Sequence, residues 1–327
     1  MKVEIFDVDH GACSLITTAG GQHMLLDCGH KTGADANIQA LVNALQGLAP
    51  PAANGLGLLY GDDGFGGQLR NRRLLRGLGA YAQPCAPAQI GWRPSTELKS
   101  RNIEVIDKLT ISNYDEDHLS DLPNIVGKIY LAEIFGNPSI SMQRLRAMKP
   151  NGVGNGAAAL IDLLEHKRHT FKPRQISGAE INWFWVNYGA NGLVDTNNLS
   201  VVTFVTMNDL RMIFPGDIEA PAWEILLGHN DFLAHLSRVN VFVASHHGRE
   251  NGYHSEAFRN GRCSPVIAVI SDKSIIHSTQ ESAANRYGRH VTGMLINGDL
   301  RKVLTTRNDG CIRFSFNQNG MARVDLG

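Results

Sequence analysis

Three apolar segments of this sequence each end in residues that can hold a metal ion, and that recurrence constrains the fold more than any other feature. Lys108 to Ser112 runs into Asn113-Tyr114-Asp115-Glu116-Asp117-His118, Arg211 to Phe214 ends in Pro215-Gly216-Asp217, and Val239 to Ser245 ends in His246-His247-Gly248. Short apolar runs bounded by Gly, Pro or Asp read as buried strands. In α/β folds ligands gather in the loops beyond the carboxyl ends of strands. A fold that lines up these three ends therefore gathers Asp115, Asp117, His118, Asp217 and one of His246 and His247. Neighbouring residues of an extended strand point to opposite faces, so only one of that His pair is expected to ligate. Carboxylate and imidazole together suit Zn²⁺, Mn²⁺ or Fe²⁺. Taken alone, the acidic cluster also reads as a cap for a helix starting near Leu119, and the His pair as a turn that bonds a carbonyl.

The rest of the chain supplies a frame. VEIFDV, CSLITT and HMLLDCG near the start read as strands, with a hairpin turn at Ala19-Gly20-Gly21. Residues 34–48 carry helical spacing, with Ile38, Leu41, Val42 and Leu45 on one face. Strands resume with INWFWV, SVVTFVT, LRMIFPGD, VNVFVAS and PVIAVIS, and a closing hairpin is expected around Asn308-Asp309-Gly310. Strands grouped early and late, with helices between, predict an α/β sandwich rather than an alternating parallel sheet. At 327 residues and 43 % hydrophobic, the chain can fill one large domain. The expected domain is 1–327, with loop-rich insertions at about 50–100 and 125–190.

Charge narrows the partners. Lys plus Arg equals Asp plus Glu at 31 each, so the chain is no generic polyanion binder and nucleic-acid contact needs local patches. Arg70, Arg72, Arg73 and Arg76 form one basic cluster, and His166, Lys167, Arg168, His169, Lys172 and Arg174 a second, both in the expected insertions. Trp92 and Trp183 could stack on a base, although core packing is the more ordinary use. The five Cys include no C-x-x-C pair, which fits reduced thiols. The chain opens on a strand pattern without a basic, apolar leader, and no run approaches a membrane span. A cytoplasmic location is the expectation.

The motifs in this order resemble the metallo-β-lactamase superfamily, and more closely the hydrolase domain of ComEC-type competence proteins. The opening loop of that domain is similar to Asp7-Val8-Asp9-His10-Gly11-Ala12, and its I-D-x-G strand end to Leu26-Asp27-Cys28-Gly29. Its N-x-S strand start resembles Asn198-Leu199-Ser200. Its N-x-Y-G segment resembles Asn285-Arg286-Tyr287-Gly288, with His290 beyond, and its closing T-x-x-x-G-x-I resembles Thr306 to Ile312. The resemblance implies an αββα sandwich binding one or two divalent ions, Zn²⁺ or Mn²⁺ and, at an oxygen-rich position, Mg²⁺. It implies that Asp27 orients a metal ligand, and that His277 or His290 donates a proton to a leaving group. This chain departs from the pattern at Asn113, where His is usual, and at His10 and Ala12 in the opening loop. One metal position therefore looks complete, through Asp117, His118, Asp217 and one His of the pair. The other, through Asn113, Asp115 and the bridging Asp217, looks depleted.

The reaction implied is hydrolysis of a phosphodiester in nucleic acid or a nucleotide. A metal-activated water attacks phosphorus, and Asp117 or a nearby carboxylate takes its proton. Two other classes stay open at this level: a hydrolase of thioesters or lactones, and a non-catalytic or conditionally active sensor subunit of a bacterial defence system with a partner ATPase. Asn113 is the feature that favours the sensor.

Overall fold

The computed structural model of the protein describes residues 1–8, 11–30, 92–166, 175–208, 210–272, 282–316 and 322–327. Within them two sheets pack face to face. The first orders its strands Ala322–Leu326, Ile312–Phe316, Lys2–Ile5, Ser14–Thr17, His23–Leu26, Lys108–Thr110 and Ile134–Phe135. The second orders them Val303–Thr305, Ile267–Ile270, Val241–Val243, Leu210–Phe214, Val202–Met207 and Glu180–Phe184.

Alternation along the strands builds the layers. In Lys2–Ile5, Val3 and Ile5 join Ile16, Met24, Val205, Met212, Val243 and Val269 in a core between the sheets. The outer face of the first sheet carries Leu15, Leu25 and Leu109 against helices that bring Leu98, Ile125 and Leu160. The outer face of the second carries Phe204, Ile213, Phe242 and Ala268 against Trp223, Leu226, Phe232 and Tyr287 of its own helices. Three apolar layers between two sheets and two sets of helices define an αββα sandwich. Strands such as Val241–Val243 and Ile267–Ile270, buried along their whole length, need apolar residues on both faces. That is why their sequences are continuous apolar runs without alternation.

Parallel pairing fixes where the loops emerge. Leu210–Phe214, Val241–Val243, Ile267–Ile270 and Val303–Thr305 are mutually parallel neighbours. In the first sheet His23–Leu26, Lys108–Thr110 and Ile134–Phe135 are parallel as well. All the ligand-bearing loops therefore open at carboxyl ends of these strands.

Two elements depart from expectation. Thr306–Asp309 is a short helix, not a hairpin turn. The strand before it lies in the second sheet and the strand after it in the first, antiparallel to Lys2–Ile5, so the segment is a crossover between sheets. The Thr305 side chain caps that helix by accepting from Asn308 N, and the Asp309 carboxylate accepts from Thr305 N at 2.9 Å. These bonds divert an Asn-Asp-Gly sequence that otherwise favours a tight hairpin. The described part of 125–190 is woven into both layers: it supplies the edge strands Ile134–Phe135 and Glu180–Phe184 and the helix Asn155–His166. The Ala19-Gly20-Gly21 turn joins antiparallel strands as expected, with Gly21 at a φ of 78°.

Cys13, Cys28 and Cys263 are free and buried, and Cys85 lies outside the described residues. Among the described residues no helix is long and apolar enough to cross a membrane. The helix expected over 34–48, Asp9 and His10 of the opening loop, the Arg70–Arg76 cluster, Lys167 to Arg174 and His277 lie outside the described residues, and so does the side chain of His166. Trp92 packs on Phe6 at 5.2 Å between ring centroids and Trp183 on Phe135 at 4.6 Å, so both serve the hydrophobic layers.

Candidate metal centre

Asp117 and His118 sit on a single helical turn, Glu116–Leu119, that begins directly after the loop from Lys108–Thr110. That turn is clamped by two neighbouring segments that are also bonded to each other. The Asp117 carbonyl accepts from Ala12 N at 2.9 Å, the His118 carbonyl accepts from Cys28 N at 2.8 Å, and Gly29 N donates to the Ala12 carbonyl at 2.9 Å. The Glu116 carboxylate caps the helix Asn155–His166, accepting from Gly156 N and Ala157 N at 3.0 Å each, where a negative charge is favourable. The packing is close enough that a Cβ on Gly29 would lie 1.5 Å from the Asp117 carbonyl oxygen. The Leu26-Asp27-Cys28-Gly29 strand end thus needs glycine at its last position.

Asp217 follows Gly216, whose φ of 62° suits glycine. Its N–H donates to Ser200 Oγ at 3.2 Å, and Asn198 Oδ1 accepts from Ala222 N at 3.2 Å. The Asn198-Leu199-Ser200 motif therefore braces the loop and helix that follow the second apolar strand. His246 and His247 have φ of 50° and 53°, followed by Gly248 at 74°. The pair is a left-handed turn and not an extended strand end, so the turn separates the two rings where strand alternation had been expected to. Left-handed backbone at a non-glycine residue costs on the order of 1–3 kcal/mol and concentrates at functional sites.

These loops bring Asp117, His118, Asp217 and His247 together, with one ligand atom from each lying within 4.8 Å of all the others. His118 Nε2 is 3.2 Å from Asp217 Oδ2, and His247 Nε2 is 3.4 Å from Asp117 Oδ2 and 3.8 Å from Asp217 Oδ2. Both imidazoles are held from behind. His118 Nδ1 donates to Asp27 Oδ2 at 2.9 Å, and His247 Nδ1 donates to the Ser271 carbonyl at 3.0 Å. Asp27, itself at a φ of 57°, also accepts Ser112 N at 2.7 Å, which fixes its carboxylate.

This arrangement fits a divalent cation. The Nδ1 bonds present each Nε2 to the centre of the cluster, where it is buried without a hydrogen-bond partner. A carboxylate-backed or carbonyl-backed imidazole is the usual form of a metal-ligating His. Two nitrogens and two carboxylates suit Zn²⁺ or Mn²⁺. The electrostatics agree. Burial opposes charge on His118, yet Asp217, Asp27 and Asp117 around it hold its pKa well above the ordinary value, and His247 is raised by Asp217 and Asp117 against the same burial. Burial likewise opposes ionisation of Asp217, but His118 and His247 hold it below the carboxylate range, and Asp117 is lowered in the same way. The carboxylates that favour a proton on these imidazoles equally favour a cation among them.

Four residues named from the sequence are not brought to this cluster. Asp115 is the N-cap residue of the short helix, but its carboxylate is taken by the Lys149 ammonium and by Thr196 Oγ1 at 3.0 Å. The Asn113 amide donates to Asn197 Oδ1 at 3.0 Å and accepts from Asp115 N at 3.0 Å. His246 Nε2 lies 3.9 Å from Asp217 Oδ2 but accepts from Arg249 Nη1 at 2.9 Å, with Glu219 Oε1 3.4 Å from its Nδ1. His290 stacks on Phe258 at 4.4 Å and contacts Tyr253 Oη through Nε2 at 2.7 Å, as part of an aromatic cluster. Lys149, Thr196, Glu219 and Arg249 were not legible as site residues. Only Arg249 sits beside a motif, and nothing in the local pattern marks the other three.

The fold and this cluster define an αββα sandwich with a four-residue site able to hold a divalent metal ion. No protein-family model and no curated protein matches the chain. Among solved structures it is similar to the metallo-β-lactamase fold protein YhfI from Bacillus subtilis, at 10 % identity and a TM-score of 0.44, covering 100 % of this chain and 99 % of that one. It is also similar to Zn²⁺-bound PqqB from Methylobacterium extorquens, at 11 % identity and a TM-score of 0.34, covering 74 % and 72 % of the two chains. A metallo-β-lactamase from Cronobacter sakazakii is similar at 12 % identity and a TM-score of 0.32, covering 73 % and 75 %. The sandwich is defined by its own sheet order and core, independently of these likenesses.

Proposed function

We propose that the chain is a metal-dependent hydrolase of phosphodiesters, acting on nucleic acid or a nucleotide. The observation that carries the reading is the convergence of Asp117, His118, Asp217 and His247 at the open carboxyl edge of the sandwich. Its support for phosphate chemistry is a pair of cations on residues that flank the ligands in the chain, Lys149 on Asp115 and Arg249 on His246.

A divalent ion bound there supplies Lewis-acid polarisation of a phosphoryl oxygen and a water of lowered pKa. The protein's own residues do the rest. Asp27 and the Ser271 carbonyl lock the two imidazoles so that no reorientation is needed when the ion or substrate arrives. Asp217 is buried, whereas the Asp117 side chain is 32 % exposed and is the more accessible of the two carboxylates. A proton released from attacking water is accepted at an Asp117 carboxylate oxygen.

The test is a pair of substrates, a long single-stranded or double-stranded DNA and a small chromogenic phosphodiester, assayed with Mn²⁺, Zn²⁺ and Mg²⁺. The expected result is turnover that Asp217→Ala and His118→Ala both abolish. A second reading, a sensor subunit without turnover, draws on the engagement of Asn113 and Asp115 by other protein groups. Metal-loaded protein inactive on both substrates would decide for the sensor, and activity on a lactone or thioester alone would decide for a different hydrolase.

A further inference from the structure

The residues that would hold a second metal ion beside the four-residue cluster are Asn113, Asp115 and His246, and each has its donor atoms taken by the protein itself. Asp115 is ion-paired to Lys149 and hydrogen-bonded by Thr196. The Asn113 oxygen accepts a backbone N–H and its amide nitrogen donates to Asn197. A guanidinium has only donors, so the 2.9 Å contact between Arg249 Nη1 and His246 Nε2 consumes the imidazole lone pair that a metal would need.

These contacts are linked. Asn197 donates to Glu219 Oε1 at 3.0 Å, Asn251 donates to the same oxygen at 2.6 Å, and Glu219 faces His246. One hydrogen-bonded network thus runs from Asn113 through Asn197 and Glu219 to His246 and Arg249, with Lys149 joined to it through Asp115.

The network leaves cationic donors to spare. Lys149 commits its ammonium to Asp115, and its side chain is 17 % exposed. Arg249 Nε is buried and meets no acceptor among the described residues. A buried N–H without an acceptor is unfavourable and is relieved by a ligand oxygen. Arg in particular matches the paired oxygens of a phosphoryl group.

We infer that this chain holds a single metal ion, and that Lys149 and Arg249 replace a second ion as the cationic half of the site, binding a tetrahedral oxyanion. The inference deepens the phosphodiesterase reading by assigning the groups that hold the phosphoryl oxygens, and its one-ion part stands without that reading. It differs from a merely depleted two-metal site, in which excess metal would fill the second position.

The experiment has two readouts, neither of them turnover. Native mass spectrometry at saturating Mn²⁺ or Zn²⁺ counts ions per chain, and isothermal titration with inorganic phosphate measures oxyanion binding to the metal-loaded protein. One ion is expected at all metal concentrations. Lys149→Gln and Arg249→Gln should each keep that ion and weaken phosphate binding about tenfold or more. Lys149→Arg, which keeps the charge, should stay within a few-fold of the unaltered protein, whereas Arg249→Lys, which loses the planar fork, should recover only part of the glutamine loss. The retained metal ion in each variant shows that the glutamine effects are not a loss of fold. Two ions per chain in the unaltered protein would overturn the inference, as would undiminished phosphate affinity in either glutamine variant. One ion with the expected phosphate losses, but no hydrolysis of any phosphodiester, would sink the phosphodiesterase reading and leave this one standing.

Discussion

Gly29 and Asp27 show how little slack the metal centre has at the scale of single residues. A Cβ at position 29 would sit 1.5 Å from the Asp117 carbonyl oxygen, a backbone atom with no side-chain freedom to move away. Gly29→Ala must push the Glu116–Leu119 turn outward, and with it Asp117 and His118. We expect a loss of about 3 kcal/mol or more in urea denaturation, together with lost metal occupancy. A variant with unaltered stability and metal content would contradict the close approach. Asp27→Asn is milder. It keeps the shape but weakens the acceptor behind His118 Nδ1. Loss of such a supporting partner lowers metal affinity by roughly 10–100-fold, read by competition with a chromogenic chelator. An unchanged affinity would mean that Asp27 merely stabilises its turn.

Individual elements carry their own electrostatics. Glu4, on the first strand, is buried and points to the helix side of its sheet. Arg101, at the end of the helix Pro94–Ser100, meets it at 2.6 Å, and Arg313, its partner on the neighbouring strand, meets it at 2.7 Å. Burying such a carboxylate is costly, and removing one partner leaves an under-compensated charge. Arg313→Met is therefore expected to destabilise the protein by about 3–5 kcal/mol, measured as a lower urea midpoint with unchanged slope. Metal stoichiometry should be unaffected, because the group lies on the opposite side of its sheet from the core between the sheets. The crossover Thr306–Asp309 is the other element whose form is set by side chains, through the Thr305 cap and the Asp309 acceptor.

For the molecule as a whole, metal and proton compete for one site, and the sign of the pH dependence follows. His118 and His247 have raised pKa values. Their contribution to the metal-free protein is therefore present in full below the ordinary His value of about 6.5 and is lost as pH rises through the raised values. Asp117 and Asp217 have lowered values. Their contribution is present above the ordinary carboxylate range and is lost as pH falls through the lowered values. Metal-free protein should thus lose Tm as pH rises above about 6.5. Metal-loaded protein should not, because the cation replaces the protons, and apparent metal affinity should rise with pH over the same window as roughly two protons are released. Differential scanning fluorimetry with and without chelator checks this, and a metal-free Tm that climbs through the window would refute it.

By itself the sequence determined the strands, the sandwich and the identity of the ligand-bearing loops. Continuous apolar runs such as Val241–Val243 and Ile267–Ile270 have only one economical place to go, and chain direction then puts their loops at one edge. Asp27 and the glycine two residues on were marked only by the resemblance of Leu26-Asp27-Cys28-Gly29 to a family strand end, because an Asp near a Gly serves an ordinary turn just as well. Tertiary structure decided which donors face the metal. Asp115 is drawn away by Lys149, 34 residues further along the chain, and His246 by Arg249 across a left-handed turn. A loop side chain has no periodicity to betray its direction. It turns toward whichever charge the folded chain brings within reach: Lys149 comes from a segment that carries no motif, and Arg249, although it follows His-His-Gly, is brought onto His246 only by the turn.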